Sequence, residues 1–524
     1  MRARLKSFRG CQFSSRITIL AILLSAFLVA QPVIIRGDDQ IRSKQVSLKK
    51  LLKRARKQMR KGLFSQSAET INKVLSRDPG NKEARLDLAY VYLKQRKVFD
   101  AHDIAFEVAR EDPRDSYAFA ILGAAYLGGG SFHEARVLLN NSLTLNRREA
   151  LAWASLGMLN YYENKIETSI RNLKEAVYHD RGEPDFALAL AQVSARGERY
   201  RDSAKAYEKF LRIAPKADKE RRDRIKGLIK FLTFLGKRVE IYSTGGDKKT
   251  TVNTIIVNNR PIIPVRLKKN GKVLNFVLDT GSGITVISEE TAKEFKIRPV
   301  ARGGVARAIG GNGKFAIVYG FLNAMRIGDV KVSNVPVYIR KFQRNTVRID
   351  GYIGISLISR YITTLDYENK TLSLVKKDED SNEQYDMEGA LTIPLRMTSS
   401  GFLSGNVKLG GVADNLNFIL DTGASVSVVS EDLAEETRVK ENLLEQRMRV
   451  IGAAGVTDNV PMYLLQDVDF GGASTPNLRA VALDLDLINE SSGFTQAGIL
   501  GGNFLKDYKL TFDFKASRVI LVPN

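Results

Sequence analysis

The sequence contains one cysteine, Cys11, and three histidines, His102, His133 and His179. A single cysteine excludes an intrachain disulfide and a Cys-x-x-Cys zinc or redox pair. The histidines are far apart and outside any metal-ligand spacing, so each reads as a surface or packing residue. Zinc hydrolysis and Ser-His or Cys-His catalysis find little support, and no cofactor or metal is expected. If the chain is an enzyme, carboxylates are the natural suspects.

Acidic residues are also under-represented, giving a net charge of +23 over 524 residues. The excess is local. Residues 1–250 hold 49 Lys/Arg against 28 Asp/Glu, whereas the remainder holds 32 against 30. A basic first half suits anionic lipid or acidic protein, or is simply the solvated surface of a helical domain. No zinc module, helix-turn-helix signature or interleaving of aromatic and basic residues accompanies it, so nucleic acid is not an expected partner.

The apolar run "ITILAILLSAFLVA" covers Ile17 to Ala30, behind Arg2, Arg4, Lys6, Arg9 and Arg16. A basic start before a short apolar core is an export pattern. Extended to Ile35, the run is barely long enough to span a bilayer. Residues 1–36 are expected to be a signal peptide or an N-terminal membrane anchor. The expected location is the cell envelope or periplasm of a bacterium, either membrane-anchored or secreted.

From 48 to 217 the chain repeats itself. Pro79, Pro113 and Pro215 lie on one 34-residue grid, with Arg147 and Arg181 at the intervening points. Leu88-Ala89, Leu122-Gly123, Leu156-Gly157 and Leu190-Ala191 keep the same spacing, and Tyr92 and Tyr126 follow four residues after their leucines. Ala101 and Ala135 mark where a second helix crosses the first. This pattern resembles the tetratricopeptide repeat. The resemblance implies about five two-helix units and a closing helix at Lys219 to Arg238, all within residues 47–240. A two-helix unit cannot bury its apolar face alone, so units stack and leave a groove that takes a protein partner. The basic segment Ser47 to Phe64, with Leu48, Leu51, Leu52, Ala55 and Met59 on one helical face, fits the first helix of the array or an anionic membrane surface.

Beyond residue 250 short alternating apolar segments separated by Gly, Asn and Asp turns predict β-structure. The string "LNFVLDTG", Leu274 to Gly281, returns as "LNFILDTG", Leu416 to Gly423. Each copy is followed by a strand, a short helix, a glycine-bearing hairpin, two apolar residues before a glycine, and a final hairpin. The hairpins are Ile309-Gly310-Gly311-Asn312-Gly313 and Ile451-Gly452 to Gly455. The apolar-Gly pairs are Ile353-Gly354 and Leu500-Gly501. A polar, acidic stretch at 378–387 separates the two copies and reads as a linker. In this order the elements resemble the retropepsin-like lobe of aspartic peptidases, over about 255–524.

The resemblance implies a multidomain chain. An all-α tetratricopeptide-repeat solenoid precedes two all-β retropepsin-like lobes, at 250–377 and 388–524. It implies that Asp279 and Asp421 form a shared-proton dyad within one chain, hydrolysing peptide bonds with an activated water. The two hairpins would be flaps over an extended peptide. Thr280 and Thr422 would hydrogen-bond across the lobe junction. Gly281 and Gly423 would let backbone approach the carboxylates. Ser282 and Ala424 break the symmetry, and a Ser282 hydroxyl bonded to Asp279 would leave the charge on Asp279 and the proton on Asp421. The alternatives are an inactive peptide- or protein-binding scaffold, and lobes that pair with another chain.

Overall fold

The computed structural model describes residues 36–238, 240–307, 314–343, 347–376, 389–412 and 416–524. The apolar run at Ile17 to Ala30, the flap residues Ile309 to Gly313 and the linker 378–387 lie outside the described residues. Among the described residues no helix is long and apolar enough to cross a membrane.

Among the described residues eleven helices fill the first half. They are α1 Arg36–Arg60, α2 Phe64–Leu75, α3 Lys82–Lys94, α4 Val98–Glu111, α5 Ser116–Gly129, α6 Phe132–Leu145, α7 Ala150–Tyr162, α8 Ile166–His179, α9 Pro184–Arg196, α10 Tyr200–Ile213 and α11 Lys219–Leu235. They form five antiparallel hairpins closed by α11. The grid residues explain the close approach within each hairpin. A Cβ on Gly123 would stand 2.7 Å from Leu139 Cγ, and one on Gly157 2.7 Å from Leu173 Cγ. Asn81, Asp115 and Asp218 cap their helices by accepting the backbone N–H of Ala84, Ala118 and Arg221. The face of α1 bearing Leu48, Leu52 and Ala55 is buried with Ile71, Val74 and Leu88, so this basic helix packs into the array. Across the array, Lys94 Nζ on α3 donates to Glu183 Oε1 at 2.5 Å and Asp185 Oδ2 at 2.7 Å, while Tyr90 donates to Glu183. These bonds tie the second hairpin to the fifth.

The second half contains three sheets among its described residues. Lobe 1 holds a nine-stranded sheet and lobe 2 an eight-stranded one. In each, the strand leading into Asp-Thr-Gly runs parallel to the apolar-Gly strand: Leu274–Leu278 beside Gly351–Ile353, and Leu416–Leu420 beside Gly498–Leu500. The third sheet has six strands and belongs to both lobes. Its middle is the antiparallel pair Tyr361–Asp366 and Tyr508–Asp513, with Thr363 opposite Phe512 and Asp366 opposite Lys509. The Leu-Asp-Tyr and Phe-Asp-Phe hairpins thus bond to each other, and the lobes pair within one chain.

The array is docked on the lobes along the edge formed by its hairpin turns. Arg96, after α3, donates to Asn489 O at 2.5 Å. Gly128 O, in α5, accepts the Thr495 N–H at 2.9 Å. Asn164, after α7, donates to Phe514 O at 3.0 Å, and Glu198, after α9, pairs with Arg360. At the far end α11 lies on strand Ala301–Arg307. Gly227 permits this, because a Cβ there would come 2.1 Å from Arg302 O. Phe231 stacks on Tyr319 at 4.6 Å, and Phe234 meets Phe321 edge-on at 5.3 Å.

Candidate active site

Each Asp-Thr-Gly turn is held from below by buried apolar chain. Phe276, Val277 and Leu278 are fully buried, as are Phe418 and Leu420. The Asp279 N–H donates to Ile353 O at 3.1 Å and the Asp421 N–H to Leu500 O at 3.0 Å, so the apolar-Gly strands fix both aspartates alike. Gly354 and Gly501 pass so close to the following strands that an added Cβ would lie 2.5 Å from Ile284 C and 2.6 Å from Val426 C. Their N–H groups donate to Thr285 Oγ1 and Ser427 Oγ at 3.3 and 3.1 Å. Gly351 and Gly498 were not among the sequence candidates, yet a Cβ at either would sit 2.2 Å from a Phe276 or Phe418 ring atom. The strings Gly-Tyr-Ile-Gly and Gly-Ile-Leu-Gly carry that signal at matched offsets.

The threonines lock the two turns together. Thr280 Oγ1 donates to Leu420 O and Thr422 Oγ1 to Leu278 O, each at 2.7 Å. Each hydroxyl also accepts the other's backbone N–H, at 3.2 Å from Thr280 N and 3.0 Å from Thr422 N. All four groups are buried. Thr422→Val keeps the shape but leaves Leu278 O and Thr280 N–H without their partner, and a buried unsatisfied group costs about 1–3 kcal/mol. A lowered urea midpoint with an unchanged slope is expected; an unchanged midpoint would contradict the role given to this hydroxyl.

The lock places the two carboxyls face to face. A Cβ on Gly281 would lie 2.4 Å from Asp421 Cγ, and one on Gly423 2.7 Å from Asp279 Oδ1. Only glycine lets each turn approach the opposite aspartate so closely. The two carboxyls thus face each other across the junction, an arrangement that favours a shared proton. Burial raises both above the usual carboxylate range, and the facing negative charge lifts Asp279 further. Backbone donors act the other way. Asp421 Oδ1 accepts the Gly423 N–H at 2.8 Å, and N–H groups of Ala424 and Gly281 also favour its ionised form. The Arg340 cation and the Gly281 N–H favour the ionised form of Asp279. Both carboxyls are raised, which favours one proton shared by the pair.

The Ser282 hydroxyl does not make the bond to Asp279 expected of it. The Ser282 hydroxyl donates to Ile284 O at 2.9 Å, two residues along, and so is spent on its own turn. The donors that favour ionisation of Asp421 are backbone N–H groups of Gly423, Ala424 and Gly281, which residue type does not reveal.

The second flap is the hairpin of Leu443–Gly452 and Gly455–Phe470, turning at Ala453-Ala454, with Gly452 opposite Gly455. Gly455 has φ 144°, in the region that favours glycine. Ile451 near the tip is 53 % exposed. Arg340 was also missed from the sequence. It ends strand Val330–Arg340 of lobe 1 and donates from Nη1 to Ala453 O at 3.0 Å. Among the described residues no group of three His, Cys, Asp or Glu side chains is placed to hold a metal ion.

The aspartyl protease family model matches residues 263–357 and again 405–504, and a tetratricopeptide-repeat model matches 58–125. Among solved structures, a tetratricopeptide-repeat protein of Thermus thermophilus is 22% identical, over 35% of this chain and 98% of its own, with TM-score 0.31. The aspartic proteinase of Irpex lacteus is 12% identical, over 53% of this chain and 97% of its own, with TM-score 0.36. No curated protein matches the chain. The second half of the chain thus carries two segments that match the aspartyl protease family, and the first half carries tetratricopeptide repeats.

Proposed function

We propose that the chain is an aspartic endopeptidase whose single site is formed in cis by Asp279 and Asp421. The observation that carries this reading is the pair itself. Two carboxyls 142 positions apart meet across a symmetric junction, both raised by burial, so that in this reading one holds a proton while the other is charged. That is the state peptide hydrolysis requires. The Asp421 carboxylate takes a proton from a water molecule, whose oxygen attacks the scissile carbonyl carbon. The Asp279 hydroxyl donates to the carbonyl oxygen and stabilises the charge developing there. The resulting tetrahedral diol collapses as a proton passes to the leaving amine and the C–N bond breaks. Repulsion between the facing charges keeps the two titrations apart, so that one proton is shared by the pair.

Tetratricopeptide repeats are protein-interaction modules, and here one interaction is internal, between the hairpin turns and the lobes. In this reading the array frames the peptidase and recruits its substrate or a partner. The basic start and the run Ile17 to Ala30 direct the chain out of the cytoplasm, to the cell envelope. Incubation of the purified chain with a peptide library at pH 4–7, analysed by mass spectrometry, tests the activity. New termini are expected from the parent and not from Asp421→Asn. An inert parent would leave the lobes as a binding scaffold.

A further inference from the structure

Arg340 is poorly explained as a structural residue. It sits at the end of a lobe-1 strand, between the dyad and the tip of the lobe-2 flap. Its guanidinium lies over the rings of Phe315, Phe342 and Tyr352, at 5.6, 5.4 and 5.9 Å from their centroids. Its Nη1 crosses to the other lobe, to Ala453 O at 3.0 Å, while its Nε is buried with no hydrogen-bond partner among the described residues. Nor does any carboxylate among those residues form an ion pair with it, and the Asp279 carboxyl is the acid whose charge it feels. A half-buried cation held mainly by aromatic faces, with its Nε buried and unpartnered, is costly unless something uses it.

We propose that Arg340 is a positioning residue that latches the lobe-2 flap shut across the dyad: it ties the flap tip to lobe 1 and holds a positive charge beside Asp279. The proposal deepens the peptidase reading and rests on it for its kinetic part. The flap tip is otherwise lightly held, with Ile451 exposed, so one charge-assisted hydrogen bond controls much of its closure. The planar guanidinium is suited to this, since it stacks on rings through its faces while its edge donates. The same cation favours ionisation of the dyad. Among the described residues, the other titratable or charged groups facing the site are Tyr352, which faces Asp279 and has Arg260 behind it, and Tyr367, which faces Asp421. Both tyrosines are pushed above their ordinary value by burial and stay neutral in the working range, so they do not compete with Arg340 for control of the pH profile.

The test uses the full chain and two variants, Arg340→Gln and Arg340→Lys. The first readout is amide hydrogen exchange at residues 450–456, which needs no activity. Losing a charge-assisted hydrogen bond opens the tip by roughly 10–100-fold, so exchange in Arg340→Gln should accelerate to that degree. The second is the pH profile of kcat/KM on a cleaved peptide. Without the cation both limbs of the bell move to higher pH, because the cation favours ionisation of Asp279. Arg340→Lys keeps the charge and loses the fork, so its limbs stay near those of the parent while tip exchange still rises. Parent-like exchange in Arg340→Gln, or in Arg340→Lys should the glutamine variant fail to fold, overturns the latch. Unmoved limbs in an active Arg340→Gln overturn its electrostatic part. A parent that cuts no peptide sinks the peptidase reading while leaving the exchange result to decide the latch.

Discussion

Replacing Asp421 by Asn is expected to lower peptide cleavage by roughly 10²–10⁴-fold, the usual contribution of a positioned general base. The substitution isolates chemistry from structure. The side-chain oxygen of the introduced asparagine still accepts the Gly423 N–H now made to Asp421 Oδ1, so the turn keeps its support. What disappears is the ionised group that takes a proton from water. Asp279→Asn should also be inactive, and its stability adds a second signature. In the parent, Asp279 is protonated when folded and ionised when unfolded at any pH between the ordinary carboxylate value and its raised native one. Unfolding therefore releases a proton across that window, and stability falls as pH rises through it. The Asn variant has no such proton to lose. Its melting temperature should match the parent more nearly at pH 4 and exceed it increasingly towards pH 7. Retained cleavage in either variant, measured by appearance of new termini, would remove the dyad from the mechanism.

Legibility in the sequence followed the range of the interactions. The tandem Asp-Thr-Gly strings were readable because one fold solves the same local problem twice: a buried strand must end in a turn tight enough to admit the opposite carboxyl. The 34-residue grid was readable for the same reason. Even so, the grid holds more than the small residues at Ala101 and Ala135. Ser67, Ser169 and Ser203 occupy equivalent positions and donate to Ala55, Gly157 and Ala191 carbonyls at 2.8, 2.7 and 2.7 Å. A hydroxyl there replaces a methyl while adding a bond between the two helices of the hairpin. Ser282 was misread because its hydroxyl has a carbonyl within two residues, and a local acceptor wins over a more distant carboxylate. Arg340 carries no local pattern at all. Its neighbours come from positions 279, 315, 342, 352 and 453, and only folding assembles them. The pairing of the two terminal hairpins into one six-stranded sheet is of the same kind, since each hairpin alone reads only as the end of its lobe.

The seam between repeats and lobes is the other place where a single side chain should matter greatly. Phe494 belongs to lobe 2 yet is fully buried in the repeat core, 4.9 Å from the ring of Phe132 and 4.9 Å from that of Tyr162, both edge-on. The Thr495 N–H and hydroxyl both donate to Gly128 O beside it, and Tyr162 OH lies 3.4 Å from Ser399 Oγ. Arg396 of lobe 2 covers the outer face of the Phe132 ring at 4.1 Å. Phe494→Ala would empty a site walled by aromatic rings from two helices, which cannot collapse without moving α5 to α7. Such truncations cost about 3–5 kcal/mol. If the array and lobes fold as one cooperative unit, calorimetry should show a single transition displaced downwards. If the seam only docks two stable bodies, the variant should instead show two transitions, with the array melting apart from the lobes. A single transition at the parent temperature would mean that the ring contributes nothing to holding the halves together. The outcome also bears on the active site. Strand Ala301–Arg307, on which α11 rests, is hydrogen-bonded to Lys314–Ile327, and these two strands flank the first flap. A seam that resists opening therefore keeps the base of that hairpin in place, and the repeat array becomes part of the cleft's support even though none of its described side chains reaches the aspartates.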